Sequence, residues 1–503
     1  MKNVAILGCG NIGFSTIKRL LKTNQDCNIF IFDLSCPSFL QEEYGNYKNI
    51  CFHSVDLCSE EDVERSFSKV FNNGSVKVDF VLSTVGCSKG RAEEQDIALY
   101  KRVFEINVYG NIIPLMILYK QGIIEQFSRV VIIGSTSSHI AGNNLFAYSP
   151  SKWALTSLCR SFSCELEQKN IQLDVINPRT IKNNVSKVFK SQQGINVEDV
   201  TNKIMKLYGK KVKGGVNEFC VPGIYYALHL LERLFPSIID IRLKKRKTIG
   251  RVNFSECRTA LVTGASRGLG RELAFRLAPQ LKELFIVARS NNELIKVKDK
   301  IEGQYECKVT PICVDLSRDD AVQEIMSEIC NKEIDILINN AGFSMSSKLG
   351  DMDIPKSKSI FKVNFFTPVE LISQLNSCKP PKIIVNILST TAISGRNRIG
   401  FYCASKSALW SYTKALRRNV NSSVVEVIPA TFKSSGVSGD KKDKGEKRIF
   451  QSANIGLTSA DVSRRIFKGL LKGKKQILIP YLRTRLFIIF ESVTPWLFKR
   501  VFR

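Results

Sequence analysis

Short apolar runs recur along the chain. Each is closed by a glycine, a proline or a charge, and each leads into a longer stretch with apolar residues at helical spacing. In the second half the short runs are TALVTG, LFIVAR, VTPICVDL, IDILINNAG, KIIVNILS and SVVEVIPA. Their length and β-branched content predict buried strands, and the amphipathic stretches between them predict helices. Strands that read as continuous apolar runs belong to a sheet covered on both faces, the habit of parallel strands joined by helices.

The pattern occurs twice. VAILGCGNIG at 4–13 is matched by ALVTGASRGLG at 260–270, each an apolar run entering a glycine loop. Asp56-Leu57 is echoed by Asp315-Leu316, Asn107 by Asn364, and Tyr148-x-x-x-Lys152 by Tyr402-x-x-x-Lys406, at offsets of 259, 257 and 254 residues. Landmarks that keep their order and spacing indicate an internal duplication. The ends agree too: 221–247 and 479–503 each carry a proline, an apolar stretch with basic interruptions, a second proline and a basic close. The expected architecture is α/β, with two doubly wound parallel-sheet (Rossmann-type) domains in tandem. The first would be 1–250, with a basic apolar tail at 221–247. The second would be 257–503, with a basic amphipathic tail at 480–503. The seam falls at 245–257, after the run Lys244, Lys245, Arg246, Lys247.

Composition refines this picture. A chain of 503 residues exceeds one ordinary core, and 44% hydrophobic content suits a globular protein. The formal charge of +28 calls for a polyanionic neighbour: nucleic acid, anionic lipid or a phosphorylated substrate. No zinc-finger, helix-turn-helix or aromatic–basic RNA-binding motif is apparent, so nucleic acid is not the expected partner. The 15 cysteines form no C-x-x-C pair, and His53, His139 and His229 join no cluster. No metal is expected, and the thiols read as reduced in a cytoplasmic setting. No signal peptide is read at the N-terminus, and no apolar run approaches the ~18–20 residues of a spanning helix.

The glycine loops carry the first candidate chemistry. A strand that turns sharply into a helix needs glycines there, because side chains would keep a pyrophosphate from the helix N-terminus. The candidates are Gly8, Gly10 and Gly13 in the first half and Gly264, Gly268 and Gly270 in the second. The second chemistry is a tyrosine four residues before a lysine, on one helix face. A phenol of ordinary pKa about 10 is a poor base, and a neighbouring ammonium stabilises its phenolate. A serine stands 13 residues before the tyrosine in both halves, Ser135 before Tyr148 and Ser389 before Tyr402.

On these residues the second half resembles the short-chain dehydrogenase/reductase family over 258–480. Thr263-Gly264-Ala265-Ser266-Arg267-Gly268-Leu269-Gly270 is similar to its T-G-x-x-x-G-x-G, and Asn339-Asn340-Ala341-Gly342 to its N-N-A-G. Asn364, Ser389, Tyr402 and Lys406 match its catalytic set. Pro429 stands at its post-catalytic Pro-Gly turn, with Ala430 for the glycine. The first half resembles the same family through Asn107, Ser135, Tyr148 and Lys152. However, its loop is one residue shorter and Ser83-Thr84-Val85-Gly86 replaces N-N-A-G. The resemblance implies hydride transfer between a nicotinamide and a secondary alcohol or ketone. Tyr serves as acid–base, Ser bonds the substrate oxygen, Lys lowers the phenol pKa, and Asn shapes the helix and a water-linked proton path. It implies cofactor contacts at Thr263, Gly264, Ser266, Arg267, Gly268, Leu269, Gly270, Arg289, Asp315, Asn340, Gly342 and Pro429, and at Gly8, Gly10, Gly13, Asp33 and Asp56. It also places a substrate lid near 440–448, where the charges read more often as plain solvation than as phosphate recognition.

Asp33, ending the second strand about 20 residues past its loop, favours NAD, since a carboxylate repels a 2′-phosphate. Arg289 and Arg267 favour NADP in the second half. The readings left open are three. Both halves catalyse, as a coupled oxidation and reduction (an epimerisation) on a lipid-like or sugar-phosphate substrate. Alternatively, only the C-terminal half is an NADPH ketoreductase and the first is a scaffold. Or the chain is a dinucleotide-sensing binding module. The aromatic, basic tails suit peripheral contact with an anionic membrane, or else cover a cleft or an interface. A homodimer is allowed.

Overall fold

The computed structural model describes residues 2–23, 26–37, 40, 42, 47–88, 96–142, 145–182, 194–225, 227, 230, 254–330, 332–433 and 456–493. The seam up to 253, the loop 440–448, most of the 221–247 tail and residues 494–503 lie outside the described residues. Met1–Glu232 with the short segments Met345–Ile354 and Gly395–Ala404 form one compact unit, and the remaining residues form a second.

Each unit is built on a seven-stranded sheet. The first holds β1 (Lys2–Leu7), β2 (Cys27–Asp33), β3 (Ile50–Ser54), β4 (Phe80–Ser83), β5 (Arg129–Ile133), β6 (Gln172–Pro178) and β7 (Gly215–Val221), in the order β3-β2-β1-β4-β5-β6-β7. The second holds β8 (Thr259–Thr263), β9 (Glu283–Ala288), β10 (Lys308–Cys313), β11 (Ile336–Asn339), β12 (Ile383–Ile387), β13 (Ser423–Pro429) and β14 (Gln476–Ile479), in the order β10-β9-β8-β11-β12-β13-β14. Every pairing is parallel. This is the doubly wound α/β architecture, present twice. The central strands show why: FVLS and RVVII in β4 and β5 are buried at every residue, with helices over both faces.

All six strands expected in the second half form, as β8 to β13. β14 is an addition, as is β7. QILI is only four residues long and sits between Lys475 and Pro480, so its pattern merged with the tail. Pairing with β13, from Glu426↔Gln476 to Pro429↔Ile479, makes it a strand.

Six helices matter below: α1 (Asn11–Thr23), α2 (Tyr148–Ser161), α3 (Gly268–Leu277), α4 (Gly400–Asn419), α5 (Ser459–Leu471) and α6 (Tyr481–Val493). α1 buries Gly13, Thr16, Ile17 and Leu20, one stripe at helical spacing, against Val4, Ile6, Ile29 and Ile31 of the sheet. α5 starts at a capping box: Thr458 Oγ1 accepts the Asp461 N–H at 3.2 Å, and the Asp461 carboxylate accepts the Thr458 N–H at 3.1 Å. In both sheets the strand order reverses beside the first strand, between β1 and β4 and between β8 and β11. The crevice at the carboxyl ends of the strands there is where such sheets bind ligands.

Candidate active sites

The glycine loops lie at this reversal. Gly8 has φ +78° and Gly264 φ +68°, the left-handed region that favours glycine. A Cβ on Gly13 would come within 2.9 Å of the Gly8 carbonyl oxygen, and one on Gly270 within 2.2 Å of the Gly264 carbonyl oxygen. These glycines let the helix start pack against its own turn. Gly10 differs, since a Cβ there would meet nothing within 4 Å. The space over the first turn of α1 is open, and a phosphate-bearing group fits against its N–H groups.

Each loop is bolted to the next strand. Asn340 Nδ2 donates to the carbonyls of Thr263 at 2.9 Å and Gly264 at 3.2 Å. Thr263 Oγ1 accepts the N–H groups of Asn340 and Ala341 at 3.0 and 3.1 Å. Thr263 is buried, and its hydroxyl holds the turn. In the first half Thr84 Oγ1 donates to the Gly8 carbonyl. The replacement of N-N-A-G by Ser83-Thr84-Val85-Gly86 thus keeps the latch, with a hydroxyl in place of an amide.

The asparagines occupy matching positions. Asn107 is the middle residue of a π-helical turn, Glu105–Tyr109, and Asn364 the middle residue of another, Lys362–Phe366. Such widened turns concentrate at functional sites. Asn107 Oδ1 accepts the Cys87 N–H at 2.8 Å, and its Nδ2 donates to the Cys87 carbonyl at 3.1 Å and to Ser151 Oγ at 2.9 Å. Asn364 repeats this with the Phe343 N–H, the Phe343 carbonyl and Ser405 Oγ, each at 3.0 Å. Ser151 and Ser405 precede the lysines. The serine shared by YSPSK and YCASK is the signal that would have found them.

The lysines are held alike. Lys152 Nζ donates to the Ile133 carbonyl at 3.2 Å, and Lys406 Nζ to the Ile387 carbonyl at 2.9 Å. A Cβ on Gly86 would sit 3.2 Å from Lys152 Nζ and 3.3 Å from Asn107 Oδ1. One on Gly342 would sit 3.3 Å from Lys406 Nζ and 3.0 Å from Asn364 Oδ1. Gly86 therefore does for its half what Gly342 does for the other. Tyr148 starts α2 with the Lys152 ammonium 5.9 Å from its ring centre, and Tyr402 stands half-buried on α4, one turn before Lys406. Ser135 Oγ accepts the Ser137 N–H at 3.1 Å, and Ser389 Oγ accepts from the N–H and hydroxyl of Thr391 at 3.2 and 3.0 Å.

Burial pushes the Tyr148 phenol above its ordinary value, and a hydrogen bond with Ser135 offsets only part of that rise. Burial also lowers Lys152 and Lys406 to about 8 each. The sign matters. The ammonium is populated below about pH 8 and is lost as pH rises through it. A rate that depends on the ammonium to hold a phenolate therefore declines through that range. A kcat/KM–pH profile of the free enzyme checks this, and a profile flat across the range would contradict it.

The strand-end acids and bases divide by half. Asp33 Oδ2 accepts the Cys9 N–H of the loop at 2.7 Å and its Oδ1 the Leu34 N–H at 2.8 Å, so this carboxylate also shapes the loop. Arg289 and Arg267 are exposed at the ends of β9 and of the second loop. Asp56 and Asp315 cap matching turns, accepting the N–H groups of Cys58 and Ser317 at 2.9 Å. Burial raises the Asp315 carboxyl, but the bonds from Ser317 and the charges of Arg289 and Arg318 bring it below the usual range overall. Ser266 lies in the turn before α3, Gly268 starts α3, Leu269 is buried in the core, and the Pro429 carbonyl accepts the Thr390 N–H at 3.2 Å.

Known proteins are similar to this chain. A family model described as short chain dehydrogenase matches residues 2–194 and again residues 258–444. NADP-dependent 3-hydroxy acid dehydrogenase of Schizosaccharomyces pombe is 28% identical over 235 residues, covering 44% of this chain and 90% of its own length. Dehydrogenase/reductase SDR family member 7B of Mus musculus is 25% identical over 256 residues, covering 48% of this chain and 79% of its own. Among solved structures, an N-terminal ketoreductase from a macrolactin assembly line is similar with a TM-score of 0.64 at 10% identity. That match covers 95% of this chain and 86% of the other, and speaks for the fold alone.

Proposed function

The chain belongs to the short chain dehydrogenase family in both of its halves and is an oxidoreductase; on that premise we propose that both halves are catalytic. They would interconvert a secondary alcohol and a ketone as a coupled oxidation and reduction. The observation that carries this reading is the repetition of one arrangement: an asparagine in a π-turn, a buried lysine on a strand carbonyl, and a glycine that lets both approach.

In each half the loop glycines and the first turn of α1 or α3 would hold the pyrophosphate of a nicotinamide dinucleotide. When bound, the dinucleotide supplies or accepts the hydride. The chain's own residues handle the proton. In the reducing direction Tyr402 gives its phenolic proton to the carbonyl oxygen, and the Lys406 ammonium holds the phenolate left behind. Ser389 donates to the same oxygen, and Asn364 fixes the turn that faces Gly342. In the oxidising direction Tyr148 takes the alcohol proton, with Lys152, Ser135 and Asn107 in the matching roles.

Asp33 supports NAD in the first half, because its carboxylate repels a 2′-phosphate. The exposed guanidiniums of Arg267 and Arg289 support NADP in the second. The charge of +28 supports a phosphorylated or lipid-linked substrate. Incubation of NAD with secondary alcohols, and of NADPH with the corresponding keto-sugars and keto-lipids, tests this, with Tyr148→Phe and Tyr402→Phe used to silence one half at a time. NAD turnover is expected to vanish with the first variant and NADPH turnover with the second. The same preference in both halves would overturn the pairing.

A further inference from the structure

A basic cleft lies in the second unit, between α5, β14 and the start of α6. Its volume is about 210 Å³, and it is lined by Arg465, Lys468, Lys472, Lys474, Gln476 and Tyr481, among others. Arg465, Lys468 and Lys472 recur at three- and four-residue spacing along α5 and just past its end, so their charges share one face. None of the four cations lies within 4 Å of a carboxylate among the described residues. From Val462 to Phe490 there are eight Lys and Arg and no Asp or Glu. Asp461, at the start of α5, is a carboxylate whose charge acts on Arg465; the cations still outnumber it, like charges so gathered repel one another, and an anion placed among them relieves that repulsion.

The rim of the cleft is apolar and exposed. Leu471 is 51% exposed, Tyr481 63%, Leu482 69% and Leu486 55%. Four of the ten exposed large apolar side chains among the described residues thus fall within sixteen positions, beside these cations. Leu482 and Leu486 lie one turn apart on α6 and share a face. Small soluble anions need the cations but not these apolar groups. A surface that is anionic above and hydrocarbon below needs both.

We propose that this α5–β14–α6 surface docks the protein on an anionic phospholipid bilayer. The cleft cations hold headgroup phosphates or carboxylates, while Tyr481, Leu482 and Leu486 enter the interface. The docking stands independently of the catalytic reading. It also deepens the expectation from the tails by placing the charge on α5 and the strand turn, ahead of the tail.

The test is co-sedimentation of the full chain with vesicles of phosphatidylcholine alone or mixed with phosphatidylserine. Binding is expected only to the mixed vesicles, weakening as salt is raised. Lys468→Glu/Lys472→Glu/Lys474→Glu is expected to lower the affinity roughly tenfold or more. Leu482→Asp/Leu486→Asp is expected to lower it while the three lysines remain. All these side chains are exposed, and an unchanged unfolding temperature confirms intact folding. Equal binding to neutral vesicles, or full binding by the lysine variant, would overturn the proposal. Lysine-dependent binding of inorganic phosphate without vesicle binding would also overturn it, assigning the cleft to a small anion. Salt-sensitive binding of duplex DNA without vesicle binding would do so in favour of nucleic acid.

Discussion

Tyr402→Phe is expected to lower the ketone reduction proposed for the C-terminal half about 10²–10⁴-fold, the range contributed by a positioned acid–base group. The substitution removes one O–H and keeps the ring, so the half-buried site on α4 stays filled. Lys406 keeps its bond to the Ile387 carbonyl, and Asn364 its bonds to Phe343 and Ser405. Dinucleotide affinity is therefore expected to hold while kcat falls. NADPH oxidation measured beside a direct binding titration separates the two. A parallel loss of binding would mean that the phenol has a structural job, and an unaltered rate would remove it from the chemistry. Tyr148→Phe is expected to act the same way on NAD turnover. If it changes nothing while Tyr402→Phe abolishes all activity, the first half is a scaffold.

The largest stability effect is expected at Arg129. Its guanidinium, on β5, pairs with the Asp174 carboxylate on β6, and the two side chains are 5% and 0% exposed. Arg129 Nη2 also donates to the carbonyls of Lys210 and Lys211 at 3.1 and 3.0 Å. Asp174 Oδ1 accepts from Gln172 Nε2 at 3.1 Å and Asn217 Nδ2 at 3.0 Å. Burial raises the Asp174 carboxyl above its ordinary range, and Arg129 pulls it only part of the way down. Arg129→Ala leaves a buried charge without its partner and costs about 3–5 kcal/mol. A carboxyl raised in the folded state favours folding more as pH falls, so the deficit shrinks toward acid pH. Adding Asp174→Asn to the variant is expected to recover part of the loss. Chemical denaturation followed by circular dichroism measures both, and a loss under about 1 kcal/mol, the scale of a surface pair, would contradict the argument.

Much of the fold was legible because the central strands are buried on both faces. β8, β9, β11, β12 and β13 therefore read as near-continuous apolar runs, whereas the edge strand β10, KVTPIC, is exposed at both ends and only partly buried between. β7 and β14 were not legible. Four residues of QILI carry no decisive period, and only the neighbouring β13 makes them a strand. In the site, Tyr, Lys, Ser and Asn were readable from their spacing. The π-turn around Asn107 and Asn364 was not, because it has no residue signature and follows from how the asparagine bonds across to Cys87 or Phe343. Thr84 was hidden for a chemical reason. A hydroxyl does the work of the Asn340 amide, so a comparison by residue type sees a loss where the structure keeps the bond. The α5 cleft was half visible: its lysine spacing is plain in the sequence, but its joining to Tyr481 needed β14 to bring α6 alongside.

The widened turns have a historical consequence. An α-helix becomes π-helical by gaining one residue, which swings every later side chain by about 100°. Both halves carry that extra residue around the same asparagine. A widened turn at the same place in both halves fits the internal duplication that the repeated landmarks indicate. Around that shared asparagine the halves differ at the centre as well: the first loop is one residue shorter, and Ser83-Thr84-Val85-Gly86 stands where the second half has Asn339-Asn340-Ala341-Gly342.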